Sequence, residues 1–239
     1  MPFSLLPAID LTAGQLGVFT PDGPRPVASF GGDPLVAVAS YVEAGARWVH
    51  VVDMDLAFDG EAANLRTVRQ IASSQDVRIQ ASGGVSSWAQ FHAFLEVGAR
   101  RVVVSSTALA DEKEVHEILA RARPGEVVFG IEVAAGRIRS RGSREVDLEL
   151  MATLERLQAA GAPSFLVTAI DRVGTRGGPD TALVRRVARA GLPTLAAGGI
   201  RSLADLIDLR AAGATGAVVG RAALDGSLPL AKAITWAAT

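Results

Sequence analysis

The sequence predicts an α/β fold, a closed (β/α)8 barrel, on three observations. Short apolar runs alternate with amphipathic stretches, strand first, as repeated strand-helix units require and a β-sandwich does not. Part of the first half of the chain recurs in the second at a fixed offset. The length, 239 residues, is near the roughly 250 that eight such units occupy, so residues 1–239 read as a single domain.

The candidate strands are, in order, Leu5 to Asp10, Trp48 to Asp53, Arg78 to Ala81, Arg101 to Ser105, Val127 to Glu132, Phe165 to Ala169, Thr194 to Ala197 and Ala217 to Gly220. The helices between them start at residues suited to capping: Asp33 before Pro34, Ser87, Asp111 with Glu114, Asp147, Asp180, and Ser202 with Asp205. Gly45, Gly98, Gly161, Gly191 and Gly213 mark helix ends. Two connections are long, Leu11 to Gly32 after strand one and Val133 to Val146 after strand five; long loops after barrel strands usually shape the site.

The repeat runs from Ser82-Gly83-Gly84-Val85 to Leu109 and again from Ala197-Gly198-Gly199-Ile200 to Leu224, 115 positions later. Inside it Gly98-Ala99 matches Gly213-Ala214, Val103-Val104 matches Val218-Val219, and Ala108-Leu109 matches Ala223-Leu224. Gly45-Ala46 and Gly161-Ala162 continue it with an offset of 116. The chain reads as a TIM barrel with a two-fold half-barrel repeat.

Composition narrows the function. Hydrophobic residues make up 49% of the chain and aromatics 5%, which supplies a core of small branched side chains. Lys and Arg number 24 against 25 Asp and Glu, so no global field recruits nucleic acid or a membrane, and any anion site is local. Zero cysteines exclude disulfides and thiolate chemistry, and three histidines argue against a zinc site. The start, Met1-Pro2-Phe3-Ser4, lacks a basic leader and no apolar run reaches spanning length. The expectation is a cytoplasmic monomer with no metal and no cofactor.

Gly198-Gly199-Ile200 with Gly220-Arg221 follow strands seven and eight, where barrels commonly hold phosphate on exposed N–H groups and short helix N-termini. The repeat supplies a second set, Gly83-Gly84-Val85 with Ser105-Ser106-Thr107, on the opposite side of the mouth. Two opposed sites predict a small sugar-phosphate ligand with two phosphates; the alternative is that these glycines only make tight turns. Asp10 ends strand one on the face where barrel catalysis occurs, as a general base or acid or as a buried cap. Glu132, Asp53, Asp55, Asp171 and Arg172 complete a ring of ionisable groups, each as apt for structure as for chemistry. Thr168 suits a hydrogen bond to a substrate hydroxyl or plain strand propensity. Arg137, Arg139, Arg141 and Arg144 form either an anion clamp or a solvated face. His50 falls in a strand, His92 and His116 on helices, away from catalytic placement.

These motifs resemble, over essentially the whole chain, the HisA-type phosphoribosyl isomerases of histidine biosynthesis. The likeness rests on Leu6-Pro7-Ala8-Ile9-Asp10-Leu11, His50-Val51-Val52-Asp53-Met54-Asp55, the two Gly-Gly turns and Val218-Val219-Gly220-Arg221-Ala222. Leu56-Ala57-Phe58 and Gly174-Thr175-Arg176-Gly177-Gly178-Pro179 look most like the dual-function PriA branch, which also isomerises phosphoribosylanthranilate. The resemblance implies an Amadori rearrangement of the aminoaldose ProFAR to the aminoketose PRFAR, without metal or organic cofactor. It implies that Asp10 transfers the proton at sugar C2, that Thr168 supports the substrate, and that the glycine-rich pairs and Gly178 hold the phosphates. Glu132 stands where the family usually has Asp.

Four positions depart from that pattern. The family's second catalytic Asp, after strand six, is Val173; an Arg after strand one is Val18; the Arg after the first Gly-Gly is Ser86; and the PriA-type Trp of the strand-five loop is Ser143. Valine donates no proton, and losing a positioned general acid costs about 10²- to 10⁴-fold, roughly 3 to 5.5 kcal/mol. Asp171 or Glu132 would have to take over. The competing reading is a diverged paralogue that binds a bis-phosphate sugar without turnover: a carboxylate facing Asp10 favours the enzyme, an apolar wall the binder. The sister cyclase would need a lysine that Leu16-Gly17-Val18 does not offer, and a glutaminase partner.

Overall fold

The computed structural model describes residues 3–20, 23–123, 125–142, 144–175 and 177–239. Met1, Pro2, Ser143 and Arg176 of the sequence reading lie outside the described residues. Strand one (Ser4–Thr12), two (Trp48–Asp53), three (Arg78–Ser82) and four (Arg101–Val104) are followed by five (Val127–Ala134), six (Phe165–Ala169), seven (Thr194–Ala197) and eight (Gly216–Val219). Each pairs in parallel with the next, and strand eight closes on strand one with Gly216 opposite Ser4. Strands two, six and seven have the predicted bounds; the others differ by one or two residues at one or both ends.

Side chains alternate across each strand, and the alternation sorts the core into two shells. Leu6, Ala8, Val103, Val128, Leu166, Leu195 and Val218 meet inside the barrel. Ile9, Val51, Ile79, Phe129, Ile131, Phe165 and Val167 face outward into the helices, with Phe91 and Phe94 among their partners. Full burial of one such side chain contributes about 1.5–3 kcal/mol, so the two shells hold the register of every strand. The same parity fixes the mouth. Asp10 is two residues beyond inward Ala8, Thr168 two beyond inward Leu166, and Glu132 four beyond inward Val128.

The helix starts follow the expected side chains with one exception. Asp33, Ser87, Asp111 and Asp180 accept from backbone N–H groups in the first turn, and Ser202 with Asp205 forms a reciprocal capping box. Asp147 does not cap its helix. Glu149 accepts from Ala152 N–H at the start of Leu150–Ala159, and Asp147 instead pairs with Arg137 and Arg139. An antiparallel pairing of Arg137–Ile138 with Leu148–Glu149 moves the helix start two residues on.

The repeat is visible in the backbone. Gly83 and Gly198 have φ 114° and 100°, and Gly84 and Gly199 both have 78°. The long connection after strand one contains a hairpin, Gln15–Thr20 with Gly23–Pro26, whose first strand pairs back onto strand one. No helix among the described residues is long and apolar enough to cross a membrane.

Candidate active site

A cavity of about 270 Å³ opens at the C-terminal ends of the strands. Asp10, Glu132, Thr168 and Arg141 all line it. So do Gly83, Gly84, Ser105 and Thr107 on one side, and Gly198, Gly199, Gly220 and Arg221 on the other. Ser106, Gly178 and Asp171 are not brought there, nor are Asp53, Asp55, Arg137, Arg139 and Arg172. Ser106 is fully buried, its hydroxyl donating to Gly130 O and accepting from Glu132 N–H, both at 3.2 Å. Gly178 lies behind Gly199, its carbonyl 2.3 Å from where a Cβ on Gly199 would stand. Asp171 is exposed in the turn Ile170–Arg172 and accepts from Ala135 N–H at 3.3 Å, outside the cavity lining.

Asp10 and Glu132 are the carboxylates among the lining residues, linked through one guanidinium. Arg141 Nε donates to a Glu132 oxygen at 2.7 Å, and its charge also acts on Asp10. Burial pushes the Asp10 carboxyl up to about 6, and Arg141 partly opposes the rise. Replacing Arg141 by Met removes the lowering influence, so the carboxyl carbon of Asp10, followed by NMR titration, should titrate above 6. A titration at or below that value would detach Arg141 from Asp10. Glu132 and Thr168 are register partners on adjacent strands, so their side chains stand next to one another.

The floor is polar in a way the sequence reading missed. His50 is buried, with Gln80 Nε2 at 2.9 Å from Nδ1 and Ser82 Oγ at 3.0 Å from Nε2. Burial, reinforced by Arg141 and Arg101, pushes the His50 ring down to about 3, so it is neutral near physiological pH. The available signal was parity: His50 stands opposite Ala8 in the strand register and therefore faces inward with it.

The two sides of the mouth are built alike and furnished differently. A Cβ on Gly83 would lie 2.1 Å from Asp53 O, and one on Gly198 2.7 Å from Ala169 O, so both turns need glycine to pack against the preceding strand. Gly220 is different, because nothing lies within 4 Å of its absent side chain and its backbone is open to the cavity. Ser105 and Thr107 share a hydrogen bond of 2.6 Å on the first side. Arg221, on the second, donates to Gly174 O at 2.8 Å and heads the short helix Arg221–Leu224. Backbone N–H groups, hydroxyls and a guanidinium so disposed are suited to tetrahedral anions.

The remaining ionisable groups separate into frame and mouth. Asp53 is fully buried, accepting from Leu56 N–H, Asn64 N–H and Asn64 Nδ2 at 3.1, 3.2 and 2.6 Å. Asp55 accepts from Thr12 Oγ1 and Ala13 N–H at 2.8 and 2.7 Å, tying the turn after strand one to the segment that follows strand two. Arg137 and Arg139 serve Asp147, whereas Arg141 and Arg144 line the cavity. One wall is apolar: Val18, Phe19 and Phe58 line it, the rings 5.7 Å apart, and Val173 lines the cavity with them. The mouth thus holds both a second carboxylate, Glu132, paired with Arg141, and apolar side chains.

Fold and mouth together define a class: a two-fold repeated (β/α)8 barrel with opposed glycine-rich turns flanking inward carboxylates. The chain belongs to the histidine biosynthesis protein family, whose model matches residues 4–229. It is 35% identical over 233 residues to a protein of Paracoccus denitrificans, covering 96% of this chain and 98% of that one. Relatives from Cereibacter sphaeroides, at 37% identity, and Dinoroseobacter shibae, at 36%, each share 96% of this chain and 97% of their own. All three are named 1-(5-phosphoribosyl)-5-((5-phosphoribosylamino)methylideneamino)imidazole-4-carboxamide isomerase.

Proposed function

We propose that the chain is a phosphoribosyl isomerase of histidine biosynthesis, acting on ProFAR as a cytoplasmic monomer without metal or organic cofactor. The observation that carries this is the meeting of two opposed anion cradles and two inward carboxylates at one barrel mouth. Relatives of the same length bearing the isomerase name support it.

In this reading Gly83, Gly84, Ser105, Ser106 and Thr107 hold one phosphate, and Gly178, Gly198, Gly199, Gly220 and Arg221 the other. Ser106 contributes only backbone, since its hydroxyl is occupied, and Gly178 contributes by seating Gly199. The Amadori step opens the sugar ring by protonating its oxygen as the C1–O bond breaks, leaving a protonated imine. A base then removes the C2 hydrogen, and the C2–H electron pair forms the C1–C2 double bond of an enolamine. Proton return to C1 and loss of the C2 hydroxyl proton give the ketose. Asp10, poised near 6, takes and returns the carbon-bound proton. Glu132 handles the proton on oxygen, with Thr168 beside it on a substrate hydroxyl. Asp171 would need the loop from Ile170 rebuilt before it reached the mouth.

The direct test is conversion of ProFAR to PRFAR by the purified protein, with phosphoribosylanthranilate assayed separately. Conversion supports the isomerase, and acceptance of the second substrate extends it to the PriA branch. The second reading, a binding paralogue, is favoured by Val173 and Val18 facing the mouth. It requires absence of turnover together with retained micromolar ligand binding. Val173→Asp adds a carboxylate to the cavity lining and should raise ProFAR turnover by about 10²- to 10⁴-fold, the range that a positioned acid contributes. Unchanged kcat would mean Glu132 already does that work.

A further inference from the structure

The repeat makes each half of the barrel a control for the other. At the offset of 115, Ser86 corresponds to Arg201 and Gln90 to Asp205. Both longer side chains sit in the first turn of a helix, capped by Ser87 in one half and Ser202 in the other. Both reach back in the same way. Ser86 N–H donates to Gln90 Oε1 at 2.8 Å, and Arg201 N–H donates to Asp205 Oδ2 at 3.0 Å.

Beyond that shared task the halves diverge. Asp205 is buried, Arg201 Nε approaches its carboxylate at 3.3 Å, and neither residue lines the mouth. Ser86 and Gln90 both line it. The chemistry settles how the Gln90 amide is turned, because a backbone N–H only donates and the atom facing it must be the oxygen. The Ser86 hydroxyl, at 3.3 Å, donates to the same oxygen. The Nε2 group is therefore directed away from Ser86, and its two N–H donors meet no acceptor among the described residues. The position matching Arg221 in this half is Ser106, whose hydroxyl is engaged in the core.

We propose that Gln90 is a phosphate-binding residue of the first cradle, supplying through its amide the side-chain donor that Arg221 supplies in the second. The inference rests on the reading of the mouth as a bis-phosphate site. It makes the two cradles unequal: the first grips its phosphate with neutral donors and the second with a cation, so affinity at the first is less salt-sensitive. Glutamine suits both of its tasks, since one end of the amide accepts and the other donates.

Gln90→Glu separates those tasks, keeping an acceptor for Ser86 N–H and replacing the donor by an anionic oxygen. Inorganic phosphate titrated into the protein and followed on the backbone amide signals of Gly84 and Gly220 reports the cradles separately. The expected result is phosphate affinity at Gly84 at least about tenfold weaker, with Gly220 and the melting temperature unchanged. The double change Ser86→Arg with Gln90→Asp, which installs the ion pair of the other half, should weaken Gly84 likewise. An unchanged Gly84 titration in Gln90→Glu overturns the proposal, because acceptance from Ser86 N–H would then be the whole role of this side chain. A wild-type protein in which phosphate moves neither amide overturns the bis-phosphate reading and this inference with it. Movement of Gly220 alone overturns only the first cradle and Gln90's part in it.

Discussion

Asp10→Asn is expected to lower ProFAR turnover by about 10²- to 10⁴-fold, the range contributed by a positioned proton-transfer group. KM should change little, since the amide keeps the shape of the carboxylate and the phosphate contacts lie elsewhere in the mouth. In the unmodified protein the low-pH limb of kcat/KM should fall near 6, where burial holds the Asp10 carboxyl. Turnover that survives the substitution, or a limb near 4, would remove Asp10 from the chemistry.

The same substitution should make the protein more stable at neutral pH. Because the folded-state value, about 6, lies above the ordinary 3.8, folding disfavours the ionised form. Asp10 therefore costs nothing below about pH 4, and stability is lost as pH rises through about 6, by up to about 3 kcal/mol. Residual exposure to the mouth trims that figure. Asparagine carries no such penalty, so the melting temperature of Asp10→Asn should exceed that of the parent at pH 7.5 and match it near pH 4. A stabilised, inactive variant is the signature of a group held for chemistry against the preference of the fold.

Gly83→Ala is expected to cost about 3–5 kcal/mol of stability, read from the midpoint of urea unfolding. Two effects combine. Gly83 has φ 114°, where a side chain is strained, and its Cβ would stand 2.1 Å from Asp53 O and 2.6 Å from Asp53 N. Asp53 cannot retreat, since Asn64 and Leu56 hold its carboxylate from the other side. Gly220→Ala is the informative contrast. With a negative φ of −88° and open space around it, that change should move the urea midpoint far less than Gly83→Ala while weakening anion binding at the second cradle. Equal losses in both variants would mean that the turns, rather than the close approach at Gly83, set the cost.

Much of this molecule was legible in its residue order. Short apolar runs locate the strands, Ser, Asp and Gly punctuate the helices, and the repeat from Ser82 and from Ala197 gives the two-fold design. Inward parity, propagated from Ala8 and Val128, brings Asp10 and Glu132 to one mouth without knowledge of any loop. These features depend on interactions within a few residues, or on an alternation that a buried shell enforces along a whole strand.

Loop side chains were settled only by contacts between distant segments. Asp171 bonds Ala135 N–H across 36 positions and leaves the mouth; Ser106 bonds Gly130 O across 24 and joins the core. Asp147 loses its cap to Glu149 because a two-residue strand pairing shifts the helix start. Gln90 and Asp205 occupy equivalent turns, yet Gln90 lines the cavity while Asp205 is buried against Arg201. Local propensity determined where each element begins and which way its strands point. The aim of each loop side chain was decided by which distant backbone donor or acceptor the closed barrel brought within hydrogen-bonding reach.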